Sequence, residues 1–347
     1  MKSPLKAAIV GAGYFARFQY QSWKDTPEVQ VVANCNRTLE KAEAIAADFD
    51  IPKSYSADQF EEMLVTEKPD FVDIITPPET HLDFCRLAFK HGVHIICQKP
   101  LAPTWDETLE LVELTKKHPD VRFMVHENWR WQPWYREIKS ILDAGTLGDF
   151  HSLNFQCRLG DGWGEDAYLA RQPFFRDYPR LFIFETGVHF LDTFRYLFGE
   201  VSSLYATTAR RNPVIKGEDS ATILCHFENG GTAVLDANRY NEPDANIANP
   251  RYTFGRLRLD GSKGHLTLFE SGQIQIQLLD RDPKIHPYKP STDGFAGNCV
   301  HATQQHFVQQ FLAKQPFESE ATDYLKSVQL VEAAYESSSK GQSVLIT

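Results

Sequence analysis

The chain has 347 residues and a formal net charge of -10 at neutral pH, with 36 lysines and arginines against 46 aspartates and glutamates. This acidic balance argues against binding to nucleic acid or to an anionic membrane, because both require clustered basic side chains. Hydrophobic residues make up 42% of the chain, and no apolar run approaches the ~18 residues of a membrane span, so we expect a globular protein of two domains that binds a small molecule.

A glycine turn follows the first predicted strand. Residues 11–16, Gly-Ala-Gly-Tyr-Phe-Ala, satisfy the pattern G-x-G-x-x-A, and a helix is predicted directly after them. In a dinucleotide-binding βαβ unit the first glycine permits the tight turn, the second lets the pyrophosphate approach the backbone, and N–H groups at the helix start bind the phosphates. We therefore predict that Gly11, Gly13, Tyr14 and Phe15 contact a dinucleotide.

The second predicted strand, residues 29–35, ends where an NAD enzyme usually carries an aspartate or glutamate for the ribose hydroxyls. This chain has Asn36-Arg37-Thr38 there. A neutral amide followed by an arginine does not repel a 2′-phosphate and could bind one. NAD, NADP and the use of both therefore stay open, and Asn36 and Arg37 are the predicted ribose contacts.

Helices and strands alternate up to residue 125, which is typical of a doubly wound parallel sheet. The predicted helices span residues 39–49, 57–65, 80–91 and 104–117, and the predicted strands span residues 71–75, 94–97 and 121–125. Thr76-Pro77 follows one strand at the edge where such sheets bind ligands, and His81 lies one helical turn further. We predict cofactor contacts at these three residues, with a proline-stiffened loop and a helix cap as the alternative.

The strand that begins at His94 ends in Gln98-Lys99-Pro100. Because Pro100 disfavours the helical conformation at Lys99, the backbone of Lys99 is expected to be extended at the carboxyl edge of the sheet. Lys99 is therefore a candidate for chemistry in a cleft. The alternative is a lysine at a strand end that points to water.

The composition changes sharply after residue 125, where aromatic and charged residues are packed together. This change predicts a first domain at 1–125 and a second at 126–347. Turn signals at Asn229-Gly230 and Asp260-Gly261 indicate hairpins, so the second domain should be α/β with a large, mostly antiparallel open sheet. Its predicted helices span residues 134–144, 185–198, 296–314 and 321–338, and its strands residues 150–158, 204–210, 221–227, 232–240, 252–260, 265–269, 273–279 and 344–346.

The predicted second sheet leaves one face to be covered, commonly by another subunit, so a homodimer or homotetramer through this sheet is expected. The irregular segment 160–179 is rich in glycine, aromatic residues and arginine. Trp163, Arg171 and Phe175 are candidate sugar contacts there, because rings stack on C–H faces and guanidinium groups donate to hydroxyls. The alternative is that these aromatic residues pack between subunits.

Helical spacing places Glu185, His189 and Asp192 on related faces of the helix predicted at 185–198. A single helical histidine is usually a core residue, but here a carboxylate lies one turn before it.

The chain resembles the Gfo/Idh/MocA oxidoreductases over essentially its whole length, through the glycine turn, Thr76-Pro77 with His81, Lys99-Pro100 and Glu185-Thr186-Gly187-Val188-His189. The resemblance implies a Rossmann domain followed by an α/β domain on a large open sheet. It also implies that a lysine, an acid and a histidine act on a sugar or cyclitol carbinol, and by position these are Lys99, Glu185 and His189.

The same resemblance places Asn128 and Arg130 near the nicotinamide and the substrate. It also places Gln98 beside the cofactor, where the family usually has a glutamate, and Glu185 stands where the family usually has an aspartate. The first departure affects how Lys99 is held, and the second changes the reach of the acid by about one methylene group.

The sequence therefore predicts an NAD(P)-dependent dehydrogenase that oxidises a sugar or polyol, with oxidation of an aldose at C1 to the lactone as the favoured reaction. A branched pentose such as apiose is one candidate substrate, beside inositol, hexoses and keto-sugars. The alternatives are a glycosidase of the same family that recycles its NAD and a cofactor-binding sensor without catalysis.

The histidine and cysteine patterns bear on metals and on the compartment. The chain has no H-E-x-x-H motif, and His301 and His306 are five residues apart, so no metal site is predicted. The six cysteines are scattered without a C-x-x-C pair, and no signal peptide is recognised at the amino terminus. Free thiols in a reducing compartment account for this pattern, so we predict a cytoplasmic protein.

Overall fold

A computed structural model of the protein describes residues 3–241 and 246–347. Its helices are α1 Ala16–Lys24, α2 Leu39–Phe49, α3 Phe60–Glu67, α4 His81–Lys90, α5 Trp105–Lys117, α6 Pro133–Asp143, α7 Val188–Phe198, α8 Cys299–Ala313 and α9 Ala321–Lys340. Its strands are β1 Leu5–Val10, β2 Val29–Asn36, β3 Ser54–Ser56, β4 Phe71–Ile74, β5 His94–Gln98, β6 Phe123–His126, β7 Phe150–Arg158, β8 Val201–Ala209, β9 Ser220–Phe227, β10 Thr232–Asn238, β11 Arg256–Gly261, β12 Gly264–Leu268, β13 Ile274–Leu278, β14 Lys284–Ile285 and β15 Val344–Leu345.

The described residues fall into two compact units. Unit 1 contains the residues up to Asn128 together with Val300–Lys326, and unit 2 contains Trp129–Cys299 and Ser327–Thr347. The sequence predicted a single crossing at residues 125–126, so the return of residues 300–326 to the first unit differs from the predicted limits. The division at residue 326 falls within α9.

Unit 1 is built on a six-stranded sheet of order β3-β2-β1-β4-β5-β6, in which every pair of neighbours is parallel. The predicted doubly wound parallel sheet is thus confirmed. Apart from Leu5 at the start of β1, which is partly buried, the apolar side chains of β1, β4 and β5 are fully buried, as a parallel sheet covered by helices on both faces requires. The sequence did not predict β3, because three partly buried residues between two helices carry too short a pattern.

The returning segment belongs to unit 1 because it is apolar on the side that faces the sheet. Phe307, Val308 and Phe317 lie in the same core cluster as Trp23 and Phe71. The main chain after α8 also extends the edge of β6, since the N–H of Val125 donates to the carbonyl of Ser319 at 2.8 Å.

Unit 2 is built on a nine-stranded sheet of order β14-β13-β12-β11-β7-β10-β9-β8-β15. Among the described strands of this sheet only β7 and β10 pair in parallel, so the predicted mostly antiparallel sheet is confirmed. Asn229-Gly230 lies in a hairpin turn as predicted. The second predicted turn is shifted, because Asp260 and Gly261 pair with β12 and the turn residues are Ser262 and Lys263.

Two further element limits in unit 2 differ from the prediction. Strand β11 begins at Arg256 and not at Tyr252, because Phe254 (φ 63°) and Gly255 (φ 147°) interrupt the extended backbone. The helix predicted from Glu185 begins instead as a π-helical turn, Phe182–Gly187, which continues directly into α7.

The two faces of the second sheet differ. Along β7 the side chains of Leu153, Phe155 and Cys157 are buried, whereas Asn154 and Gln156, which point to the opposite face, are exposed. All six cysteines are free and buried. No helix in the described part of the chain is long and apolar enough to cross a membrane.

Candidate functional site

The turn between β1 and α1 has the geometry that a pyrophosphate requires. Gly11 has φ 116°, and a Cβ there would lie 2.4 Å from the carbonyl oxygen of Ile75, so only glycine fits. At the exposed Gly13 a Cβ would meet no atom within 4 Å, which leaves space for a ligand to approach the backbone. Tyr14 is exposed, and Phe15 gives α1 no side-chain cap, so the turn is open to a ligand and its contact with a dinucleotide stays a prediction.

Asn36 and Arg37 lie at the carboxyl end of β2. The amide nitrogen of Asn36 donates to the carbonyl of Thr38 at 3.1 Å, which fixes the Asn36 side chain in this turn. Arg37 is exposed. The two residues are therefore placed where a ribose edge is expected in this type of sheet, and their preference between NAD and NADP stays a prediction.

His81 does not have the position that the sequence suggested. Its ring is fully buried, with Nε2 2.8 Å from the carbonyl oxygen of Thr76 and Nδ1 3.1 Å from that of Leu101. Burial lowers the pKa of His81, although the backbone carbonyls act in the opposite direction. The predicted cofactor contact is thus replaced by a structural role, in which the ring joins the loop after β4 to the segment after β5. Thr76 is partly buried and Pro77 is exposed, so these two remain candidate contacts.

Lys99 follows the last residue of β5, at the carboxyl edge where the sequence placed it. Gln98 before it and Pro100 after it are buried, while Lys99 is partly exposed. The peptide bond between Lys99 and Pro100 is cis. Unit 1 thus brings the glycine turn, Thr76-Pro77 and Lys99 to one edge of its sheet, and the buried Asn128 ends this stretch of the unit.

Arg130, a predicted substrate contact, is buried in unit 2. Its Nε and Nη2 donate to the two carboxylate oxygens of Asp192 on α7 at 2.8 and 2.7 Å, and the hydroxyl of Ser327 donates to Asp192 at 2.8 Å. A fork held in this way stabilises α7. The contact between Arg130 and substrate stays a prediction, whereas its structural bond to Asp192 was not foreseen.

Glu185 lies in the π-helical turn, and His189 lies in the first turn of α7. Such turns are frequent at functional sites because they displace side chains from regular helical positions. His189 is buried, and its ring stacks on Trp129 with 4.4 Å between the centroids and 2° between the planes. This stacking fixes the orientation of the imidazole.

Arg239, which the sequence analysis did not single out, is the centre of the polar cluster around Glu185. Its Nε and Nη2 donate to Asp161 at 3.0 and 2.7 Å, and its Nη1 donates to Glu185 at 3.3 Å and to Thr186 at 3.1 Å. The hydroxyl of Thr186 also donates to Glu185 at 2.6 Å. The rings of Tyr168 and Phe175 lie 5.1 Å from the guanidinium carbon.

The charges of this cluster support one another. Burial raises the pKa of Asp161, but the positive charges of Arg239, Arg171 and Arg251 outweigh it, so the net pKa lies below the usual range. Burial likewise opposes the charge on Arg239, and Asp161 above all keeps its pKa above the ordinary value. Glu185 accepts hydrogen bonds from the Arg239 guanidinium and the Thr186 hydroxyl, and these bonds fix the position of its carboxylate.

The three residues predicted as sugar contacts have different surroundings. Arg171 donates to Asp161 at 3.0 Å and is thereby part of the Arg239 cluster. Trp163 is 62% exposed. Phe175 is 1% exposed and packs in a small apolar cluster with Tyr168 and Leu181, so packing replaces the predicted sugar contact of Phe175.

The residues that the sequence analysis missed carried weak signals. Arg239 follows the alternating pattern of β10 directly, at the end of a strand, and Asp161 stands between two glycines in the irregular segment. In the described part of the chain no group of three or more histidine, cysteine, aspartate or glutamate side chains could hold a metal ion.

Two family models match the chain. One, described as an oxidoreductase family with an NAD-binding Rossmann fold, matches residues 5–127, and the other, described as the GFO/IDH/MocA C-terminal domain, matches residues 135–267.

Full-length relatives are similar as well. A protein named D-apiose dehydrogenase from Rhizobium rhizogenes is 31% identical, over 98% of this chain and 97% of its own length. A protein of the same name from Paraburkholderia graminis is 32% identical, over 98% and 89% respectively. The crystal structure of an oxidoreductase from Agrobacterium radiobacter in complex with NAD+, L-tartaric acid and magnesium has a TM-score of 0.90 at 30% identity, and the match covers 99% of this chain and 98% of that one.

Proposed function

Because the chain belongs to the GFO/IDH/MocA family of oxidoreductases and carries its NAD-binding Rossmann domain, we propose that it oxidises an aldose at the anomeric carbon to the lactone. A branched pentose of the apiose type is the proposed substrate. The observation that carries this choice is the similarity to two proteins named D-apiose dehydrogenase, which extends over 98% of this chain.

We propose the following roles for the residues of the chain. In unit 1, Gly11, Gly13, Tyr14 and Phe15 hold the pyrophosphate side of the dinucleotide, Asn36 and Arg37 hold the ribose, and Thr76-Pro77 lies at the same sheet edge. When bound, the nicotinamide supplies a hydride acceptor for the carbinol carbon. The residues of the chain must then hold the sugar and take the proton of its hydroxyl group.

Glu185 is a poor choice for the group that takes this proton. Its Oε2 atom already accepts hydrogen bonds from both Arg239 and Thr186. We therefore assign Glu185 the orientation of the substrate hydroxyls. The Nζ of Lys99 and the imidazole of His189 are the two groups proposed to take the proton, and a positioned base of this kind contributes ~10² to 10⁴-fold to the rate.

A screen of sugars tests the reaction. Apiose, common aldoses and myo-inositol are each incubated with the enzyme and either NAD+ or NADP+, and the absorbance of the reduced nicotinamide is followed. The highest kcat/KM is expected for the branched pentose, with a lactone as product. Hydrolysis of a glycoside without net reduction would establish the glycosidase alternative, and dinucleotide binding without any turnover would establish the sensor.

Substitutions at the proposed acid-base residues test the assignment of roles. His189→Asn should lower kcat by ~10² to 10⁴-fold and flatten the pH profile. Glu185→Asp should cost less than Glu185→Gln, because the negative charge at this position matters more than one methylene group. A His189→Asn variant with full rate and unchanged pH dependence would leave Lys99 as the proton acceptor.

We also propose that the exposed face of the second sheet joins subunits into a homodimer or homotetramer in the cytoplasm. Tyr205 and Leu224 are neighbours across β8 and β9 on this face, and Tyr205 is 39% exposed. Tyr205→Asp should lower the mass measured by light scattering, whereas Val65→Asp, at an exposed residue of α3 in unit 1, should not. Equal masses for both variants would rule out this interface.

A further inference from the structure

We propose that Gln19 is a positioning residue for Lys99. Its buried side-chain amide connects the carboxylate of Asp73 to Gln98, the residue before Lys99, and thereby ties helix α1 to the strand end that carries the lysine. The inference rests on the proposed role of Lys99 in the dehydrogenase reaction.

Asp73 is a buried carboxylate in the middle of the first sheet. It lies on β4 between Ile9 of β1 and Ile96 of β5, and it is fully buried. The indole nitrogen of Trp23 donates to it at 2.7 Å, and the amide of Gln304 donates at 3.4 Å. Within residues 3–241 and 246–347 the side chains that donate hydrogen bonds to it are all neutral, although burial of an unpaired carboxylate is costly. A carboxylate retained at this cost calls for an explanation beyond packing.

Gln19 links this carboxylate to the active edge. With its amide nitrogen 3.0 Å from one oxygen of Asp73 and 3.3 Å from the other, its amide oxygen accepts from the Nε2 of Gln98 at 2.7 Å. The opposite orientation would place two acceptors together and two donors together, so the hydrogen-bonding groups assign this one. Gln19 lies on α1, the helix that follows the dinucleotide turn, and Gln98 is the last residue of β5.

The direction of this hydrogen-bond chain is set by Asp73. An ionised carboxylate can only accept, so it holds the nitrogen of Gln19 towards itself and leaves the oxygen of Gln19 for Gln98. A protonated Asp73 could donate to Gln19, and the amide of Gln19 would then be able to turn and lose its bond to Gln98. The network thus has one orientation when Asp73 is charged and two when it is neutral.

Asp73 titrates within the pH range in which enzyme kinetics can be measured. Burial raises the pKa of Asp73 to about 7, although the hydrogen bonds from Trp23 and Gln304 act in the opposite direction. The other titratable groups that interact with it are Tyr20 on α1 and Cys97 on β5, and burial raises the pKa of both, so they stay neutral through this range. Within this network, Asp73 is therefore the group whose charge changes near neutral pH.

The experiment compares three variants of the full chain, Gln19→Met, Gln98→Met and the double variant. Gln304→Met is the matched control, because it removes a hydrogen bond to the same carboxylate outside the path to Gln98. The measurements are kcat, KM, NAD+ affinity by calorimetry, and the rate at which an amine-acylating reagent modifies Lys99, read by mass spectrometry of the peptide at several pH values.

Gln19→Met and Gln98→Met should each lower kcat by about ten-fold, as expected for a displaced catalytic group. Gln19→Met should also leave the dissociation constant of NAD+ within about two-fold, whereas Gln98 is itself a predicted neighbour of the cofactor. The double variant should lose no more than either single variant, because both break the same chain. Lys99 acylation should lose its dependence on the Asp73 titration in these variants. In Gln304→Met that dependence should persist with its midpoint at higher pH, because this variant removes a hydrogen bond that lowers the pKa of Asp73.

Equal kinetics and equal Lys99 acylation for Gln19→Met and Gln304→Met would overturn the proposal. If Gln19→Met fails to fold, Gln98→Met decides the question. Absence of turnover in the unmodified enzyme with every sugar would refute the proposed function instead, and the acylation profile would still show whether Gln19 positions Lys99.

Discussion

Replacement of Arg239 by glutamine is the sharpest test of how unit 2 holds Glu185. Arg239→Gln removes two bonds to Asp161, one to Glu185 and one to Thr186, and it removes the positive charge between two carboxylates. The Arg239 and Asp161 side chains are 3% and 6% exposed. The substitution therefore leaves a buried negative charge without its main partner.

The structure sets the size of the effect. Loss of one partner from a buried ion pair costs about 3 to 5 kcal/mol of unfolding free energy. Asp161 keeps Arg171 at 3.0 Å and Arg251 at 3.8 Å, so the cost should lie at the lower end, about 3 kcal/mol. Because Glu185 also loses its anchor, kcat/KM should fall by about 10²-fold.

The loss of unfolding free energy is measured by urea unfolding followed by tryptophan fluorescence. This signal reports on unit 2, because four of the six tryptophans lie there. Arg158→Gln is the matched control. Arg158 pairs with Asp236 at 2.6 Å, but these side chains are 25% and 41% exposed, so its loss should cost no more than about 1 kcal/mol. An exposed ion pair contributes at most about 1 kcal/mol. If the unfolding free energies of Arg239→Gln and Arg158→Gln differ by less than about this amount, the Arg239 cluster does not hold Glu185 in place.

Three further predictions address unit 1. Lys99→Met should abolish turnover in the steady-state assay while calorimetry finds the dinucleotide affinity within a few-fold of normal, and near-normal turnover would mean that the amine takes no part in the chemistry. Asn36→Asp should shift the ratio of kcat/KM values towards NAD, and Arg37→Ala should weaken NADP more than NAD; an unchanged ratio in both would place these residues away from the ribose. The raised pKa of Asp73, about 7, means that the folded state holds a proton which the unfolded chain releases near pH ~3.9, so the unfolding free energy should fall as pH rises from about 4 to 7, by at most about 4 kcal/mol. Asp73→Asn should remove that part of the pH dependence in urea titrations, and an identical slope in the variant would assign it to another group.

The first sheet could be predicted because its signals are local. Strand periodicity, the glycine turn and the strand end at Lys99 each lie within a few neighbouring residues, and the parallel order follows from their alternation with helices. The return of residues 300–326 could not be predicted in this way. The return depends on the packing of Phe307 against Trp23 and Phe71, and these two residues are far from Phe307 along the chain.

The polar partners of the site were predictable only in part. Glu185 and His189 stood out through a short motif, but Arg239, which holds Glu185, lies directly after β10, 54 residues later in the chain. The same holds for Asp73, which in the sequence looks like one polar residue in an apolar strand. His81 and Phe175 were misjudged for the opposite reason, because residue type alone does not reveal that a side chain is fully enclosed.

The return of residues 300–326 also determines when the protein can fold during synthesis. The first sheet is complete once residue 128 has been made, but the apolar surface around Trp23 and Phe71 has no cover until Phe307, Val308 and Phe317 leave the ribosome. During translation of all strands up to β14, the first unit therefore leaves the apolar surface around Trp23 and Phe71 exposed. A fragment that ends at residue 128 should bind chaperones or aggregate, and co-expression of residues 300–326 as a separate peptide should restore its solubility.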